Sequence, residues 1–191
     1  MNNTIALDIG RVCVHLNYEL CAQKLGFSST QELLNCHEIW RQNNLLETGK
    51  ISTADFITQL QNIFPSKTAL ELREAWQAII GPQIQGIQKV VASFIDKKLR
   101  VVLLSNTSQL HFAHIKKQLS FYQNIHGAVL SYEVGYMKPH SAIYEYFEEK
   151  YSRPLLFIDD KEENIHAAQE RGWECYQMGN MHELQRICEA V

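Results

Sequence analysis

The segment Leu155-Leu156-Phe157-Ile158-Asp159-Asp160 runs from apolar residues straight into two adjacent acids. An unbroken apolar run of this length reads as a strand buried on both faces, and the abrupt polar ending reads as its carboxyl end. Two other runs have the same form: Thr4 to Leu7, ending in Asp8, and Val101 to Leu104, ending in Ser105-Asn106-Thr107. Between the second and third lie helical patterns at Ser108 to Leu119 and His140 to Lys150, with a shorter strand pattern at Gly127 to Ser131. Strands alternating with helices predict an α/β fold: an open, mostly parallel sheet with helices on both faces. Ligands in such folds bind beyond the carboxyl ends of the strands, so the three polar endings are expected to share one crevice.

Residues 15–80 read differently. They are poor in strand signals and carry helical patterns at Glu32 to Trp40, Ser52 to Ile63 and Ala69 to Ile80. Ser52 followed by Asp55 has the form of a helix-start cap, and Gly81-Pro82 punctuates the end. The expected organisation is a core of residues 1–14 and 81–191 with a small helical insert at 15–80. A chain of 191 residues has room for one such core and a modest insert.

Eighteen Lys and Arg against 21 Asp and Glu give a formal charge of -3, with no long block of either sign. That balance argues against nucleic acid or an anionic membrane as partner. No segment approaches the ~20 apolar residues that span a bilayer. The five cysteines are odd in number and form no CxxC pair, the pattern of reduced thiols. A soluble, cytoplasmic protein acting on a small molecule is expected.

The three polar endings carry the chemistry. Adjacent acids at a strand end are hard to explain as packing, because buried charge needs a partner. Together with Asp8, Asp159 and Asp160 make a hard-oxygen site suited to Mg2+. Asp8 is also placed to attack phosphorus, although an aspartate there can equally cap a turn. Ser105, Asn106 and the backbone N–H groups beside them suit phosphoryl oxygens, and the same residues make good helix caps. Lys138, held extended by Pro139, can bind phosphate and relieve repulsion among the acids.

The ordered set Asp8, Ser105-Asn106-Thr107, Lys138 and Asp159-Asp160 resembles the four motifs of the haloacid dehalogenase (HAD) superfamily over nearly the whole chain. The resemblance implies a Rossmann-like core with a small cap and a magnesium-dependent phosphatase acting on a small phosphate ester. It implies Asp8 as covalent nucleophile, Ser105, Asn106 and Lys138 as phosphate-binding residues, and Asp8, the Gly10 carbonyl, Asp159 and Asp160 around Mg2+. The wording Asp8-x-Gly10, Leu104-Ser105-Asn106-Thr107, Ser131, Gly135, Lys138-Pro139, Ile143-Tyr144 and Gly49-Lys50-Ile51-Ser52 with Phe56 is similar to the bacterial α-D-glucose-1-phosphate phosphatases. That branch implies a sugar phosphate as substrate.

Two positions depart from the superfamily pattern. Most HAD phosphatases have an acid-base aspartate two residues after the nucleophile, where this chain has Gly10. Either the substrate has a good leaving group, or another residue or water moves the proton, with His15 and His37 the nearest candidates. The alternative readings are a phosphate-binding or regulatory module with weak or no turnover and, least in keeping with two adjacent acids, a dehalogenase attacking carbon. Arg11 stands where the related branch commonly has a small residue or Asn; it either contacts Asp8 or an anionic substrate, or points away to a surface acid. His111 and His114 share a helical face without a third metal ligand and read as solvated. Trp40, Trp76 and Phe56 read as core of the insert.

Overall fold

The computed structural model describes residues 3–190. The chain opens with β1 (Thr4–Leu7) and β2 (Val14–Leu16), passes through α1 (Tyr18–Leu25), α2 (Thr30–Asn35), α3 (His37–Glu47), α4 (Thr53–Ile63) and α5 (Ala69–Gln77), and returns in β3 (Ile80–Gln83). The remainder alternates: α6 (Ile87–Asp96), β4 (Arg100–Ser105), α7 (Gln109–Gln118), β5 (Gly127–Leu130), α8 (Ser131–Val134), α9 (Ser141–Tyr151), β6 (Leu156–Asp159), α10 (Glu162–Glu170), β7 (Cys175–Gln177) and α11 (Met181–Ala190).

Five strands form one parallel sheet in the order β5-β4-β1-β6-β7. β1 is central, with Ile5 opposite Val101 of β4 on one side and Leu156 of β6 on the other. The strand order reverses at β1, which places the ligand crevice at its carboxyl end. Strand periodicity splits the core in two. Ile5, Leu7, Val101 and Leu103 face a large cluster with α6, α7 and α11, while Ala6, Val102 and Leu104 face a smaller one with α9 and α10. On α6, Ile87, Val90, Val91 and Phe94 recur at helical spacing and are buried. Each such side chain contributes about 1.5–3 kcal/mol when withdrawn from water.

The helices of the insert are not a separate core. Leu33, Ile39, Phe56, Leu60 and Trp76 belong to the same cluster as Ile5 and Leu7. The helical pattern expected across Glu32 to Trp40 breaks at Cys36, so two helices stand where one was predicted. The pattern over Ala69 to Ile80 stops at Gln77, and Ile80 enters β3. β3 pairs antiparallel with β2, joining the two chain crossings between insert and sheet. Pro82 in β3 lacks an N–H, which a two-stranded edge tolerates. The described residues include no helix long and apolar enough to cross a membrane, and all five cysteines are free thiols.

Candidate active site

Asp8, Asp159 and Asp160 converge at the carboxyl ends of β1 and β6, each offering an oxygen within 4.8 Å of the others'. Asp159 is fully buried and its carboxylate is saturated. Oδ1 accepts from Lys161 N–H (2.9 Å) and Asn164 Nδ2 (3.0 Å), and Oδ2 accepts from Asn164 Nδ2 (3.0 Å) and Lys138 Nζ (2.5 Å). Lys138 Nζ also donates to Asp8 Oδ1 and to the Leu104 carbonyl, both at 2.8 Å. All three ammonium protons are therefore engaged, and Lys138 is buried among the charges that it compensates.

The titration behaviour follows from this arrangement. Burial pushes Asp8 up to about 6, with the Lys138 charge pulling the other way and the Asp159 charge adding to the rise. Burial disfavours the charged Lys138, but Asp8 and Asp159 more than offset it and hold the ammonium above its ordinary range. Burial and Asp159 raise Asp160, with Arg11 and Lys138 opposing. Asp160 is the less committed of the adjacent acids: its ion pair is with Arg11 Nη1 at 3.8 Å. Arg11 therefore neither abuts Asp8 nor turns away, and sits across from the second acid. Its φ of 56° lies in the left-handed region, which small residues and Asn enter more readily.

Asn106 was expected to contact phosphate. Its side chain lines the cleft and is joined to the backbone of Lys138 at both ends: Lys138 N–H donates to Oδ1 at 2.7 Å, and Nδ2 donates to the Lys138 carbonyl at 2.8 Å. This locks the loop carrying Lys138 to the end of β4. A second tie links Thr107 to Ser131, whose hydroxyl accepts from Thr107 N–H (2.9 Å) and donates to the Thr107 carbonyl (3.0 Å). Ser105 Oγ has only a 3.4 Å contact with the Asn106 carbonyl, leaving the hydroxyl available to a ligand.

Over these groups lies a cleft of ≈ 600 Å³ whose floor includes Asp8, Gly10, Ser105, Lys138 and Asp160. Its opposite wall comes from the insert: Tyr18 of α1 and Trp40, Asn43 and Glu47 of α3. A deeper pocket of ≈ 80 Å³ continues from it toward Trp76 and His111. The insert residues Tyr18, Asn43 and Glu47 were not singled out from the sequence. The available signal was Gln42 and Asn43, polar residues at buried positions of the α3 stripe that also holds Ile39 and Leu46.

Other expectations separate. His15 and His37 are exposed and line neither cavity. His111 is not solvated: its Nε2 is 2.9 Å from the Trp76 carbonyl, its ring stacks on Trp76, and burial lowers its pKa to about 4. The buried ring finds its hydrogen bond in the insert, so the face that sequence spacing assigned to solvent is a contact between α7 and α5. Phe56 and Trp76 are fully buried against each other, and half-buried Trp40 both packs on Trp76 and lines the cleft.

No family model matches the chain. A D-ribitol-5-phosphate phosphatase of Bacteroides thetaiotaomicron is 27% identical, across 94% of this chain and 93% of that protein. The crystal structure of a HAD-family enzyme from Bacteroides thetaiotaomicron is similar with a TM-score of 0.83 at 24% identity, covering 93% of this chain and 94% of that one. That enzyme has also been solved with magnesium and inorganic phosphate. A predicted HAD-like hydrolase from Porphyromonas gingivalis has a TM-score of 0.75 at 22% identity, covering 98% of both chains. With its sheet order and the position of its polar strand ends, the chain has the fold of these HAD-family structures, and its similarity to the phosphatase spans nearly the whole sequence.

Proposed function

We propose that the protein is a magnesium-dependent phosphatase that cleaves a small, hydroxyl-bearing phosphate ester through an aspartyl-phosphate on Asp8. The observation that carries this reading is the meeting of three carboxylates and one buried ammonium at the sheet's switch point. Attack on carbon has no use for so acidic a cluster. The donor set is all hard oxygen, which fits magnesium. Asp8, the Gly10 carbonyl and Asp160 would hold the ion, with Asp159 behind them fixing Lys138 and Asn164. Bound magnesium reduces the repulsion between the nucleophile and an anionic phosphate.

Asp8, with a pKa of about 6, is mostly ionised at neutral pH and able to attack phosphorus. Lys138 keeps that charge in place, while Ser105 Oγ and neighbouring backbone N–H groups receive the phosphoryl oxygens. The helical insert, acting as a cap, closes the far side of the cleft and meets the organic part of the substrate.

Two orphaned polar atoms support a hydroxylated substrate. Asn43 Oδ1 and Trp76 Nε1 are buried without a partner among the described residues, and both residues line the deeper pocket. An unpaired buried polar group costs about 1–3 kcal/mol, which a hydroxyl able both to donate and accept would recover. The similarity to a D-ribitol-5-phosphate phosphatase agrees with a polyol or sugar phosphate. It does not single out glucose 1-phosphate.

The test is hydrolysis of p-nitrophenyl phosphate with Mg2+ and with chelator, then a panel of polyol and sugar phosphates. Native protein is expected to turn over only with the metal, and Asp8→Asn to lose at least about 10³-fold in kcat without loss of fold. Absence of native turnover, or substantial turnover by folded Asp8→Asn, would refute the reading.

A further inference from the structure

We infer that Glu47, at the end of α3 on the cap wall, is the acid-base residue that position 10 of this chain lacks. The inference rests on the phosphatase reading and adds the route of the proton. In such a reaction the leaving alkoxide must gain a proton and the attacking water must lose one. Gly10 has no side chain to serve, and His15 and His37 lie outside the cleft.

The carboxyl groups on the cleft surface reduce the choice. Those of Asp8 and Asp160 belong to the nucleophile and metal cluster, and Asp159 is buried behind them. Glu47 is the remaining acid lining the cleft, and it comes from the wall opposite the nucleophile. It lines the deeper pocket as well, and so does Gly10. The glycine that removes the usual carboxylate thus borders the same space as the glutamate that faces it. Among the described residues, Glu47 is in no ion pair that would commit its charge.

The surroundings suit proton exchange near neutral pH. Burial pushes Glu47 up to about 7; the Asn43 amide one turn earlier and the Lys161 charge lower it, and the Asp8 charge raises it. Tyr18 of α1, Arg11, Lys138 and Asp160 complete the titratable and charged groups that share this cleft with it. A group with a pKa near the working pH can both give and take a proton. In the first step the Asp8 carboxylate oxygen bonds to phosphorus, the bond to the ester oxygen breaks, and the Glu47 proton passes to that oxygen, releasing the alcohol. In the second, Glu47 carboxylate takes a proton from water as the water oxygen bonds to phosphorus, freeing inorganic phosphate and Asp8.

The experiment compares kcat of native protein and Glu47→Gln on p-nitrophenyl phosphate and on alkyl phosphates, beginning with D-ribitol 5-phosphate. A nitrophenolate leaves without help; an alkoxide does not. Glu47→Gln is expected to lose roughly 10²–10⁴-fold on the alkyl ester and less than about tenfold on the aryl ester. Aryl turnover by the variant also reports that its site is folded. Equal losses on both esters, no loss on either, or a native protein that cleaves the aryl ester but no alkyl phosphate would overturn the inference. A native protein that cleaves neither would instead remove the phosphatase reading on which it stands.

Discussion

The two walls of the cleft are built on opposite principles. On the sheet side, Lys138 pairs with Asp8 and Asp159, Asn106 with the Lys138 backbone and Ser131 with the Thr107 backbone, and Asn164 Oδ1 is the one buried side-chain atom there without a partner among the described residues. On the cap side, among the described residues, Asn43 Oδ1 and Trp76 Nε1 are buried without partners, and Glu47 carries no ion pair. On the proposed reading the sheet wall holds a nucleophile and a metal at fixed positions, which extensive internal pairing favours. A wall that must recognise an organic group gains from leaving its pairing to that group, so its polar atoms contribute to binding and not to folding.

The contrast is broken most severely at Lys138. Lys138→Met leaves Asp8 and Asp159 buried together without their cation, so denaturant unfolding at pH 7 without metal should show a loss of about 3–5 kcal/mol. Magnesium should restore more stability to this variant than to native protein, because the ion replaces the missing charge. Unchanged stability would mean that the sheet wall does not depend on internal charge compensation.

The seam between the walls should respond to acid through His111. Buried His111 stays neutral until about pH 4, whereas its ordinary value is 6.5, so the unfolded chain binds its proton first. Its contribution to stability is complete above about 6.5 and is lost as pH falls toward 4, a span worth roughly 3 kcal/mol. His111→Gln retains a donor for the Trp76 carbonyl but does not titrate. Unfolding measured from pH 7 to 4.5 should therefore fall more steeply for native protein than for the variant. Parallel curves would place the acid sensitivity elsewhere.

The smallest stability effect is expected on the cap wall itself. Asn43→Leu removes an unpartnered carbonyl from a buried position and should change unfolding free energy by less than about 1 kcal/mol, or raise it. The same change should raise KM for a hydroxylated phosphate ester by about tenfold or more. A large loss of stability with unaltered KM would show Asn43 to be part of the fold's own pairing.

Asp8, Ser105, Lys138, Asp159 and Asp160 were legible in the sequence because each follows an apolar run or precedes a proline, and strand ends in a parallel sheet point to one place. The same local reading could not show the tie that the Asn106 side chain makes. Whether its amide faces ligand or the backbone of Lys138 depends on a loop 32 residues away. Local spacing likewise could not reveal β2 and β3, short segments that become strands only by pairing across the whole helical insert.

What the sequence determined by itself is the α/β core and the chemical character of its strand ends, because both follow from residue patterns a few positions long. Which face of each inserted helix meets the cleft was decided by tertiary structure. The rotation of α3 is fixed by burying Ile39 and Leu46 in a cluster shared with Trp76 and the central sheet. Only that distant packing turns Asn43 and Glu47 toward the space above Asp8.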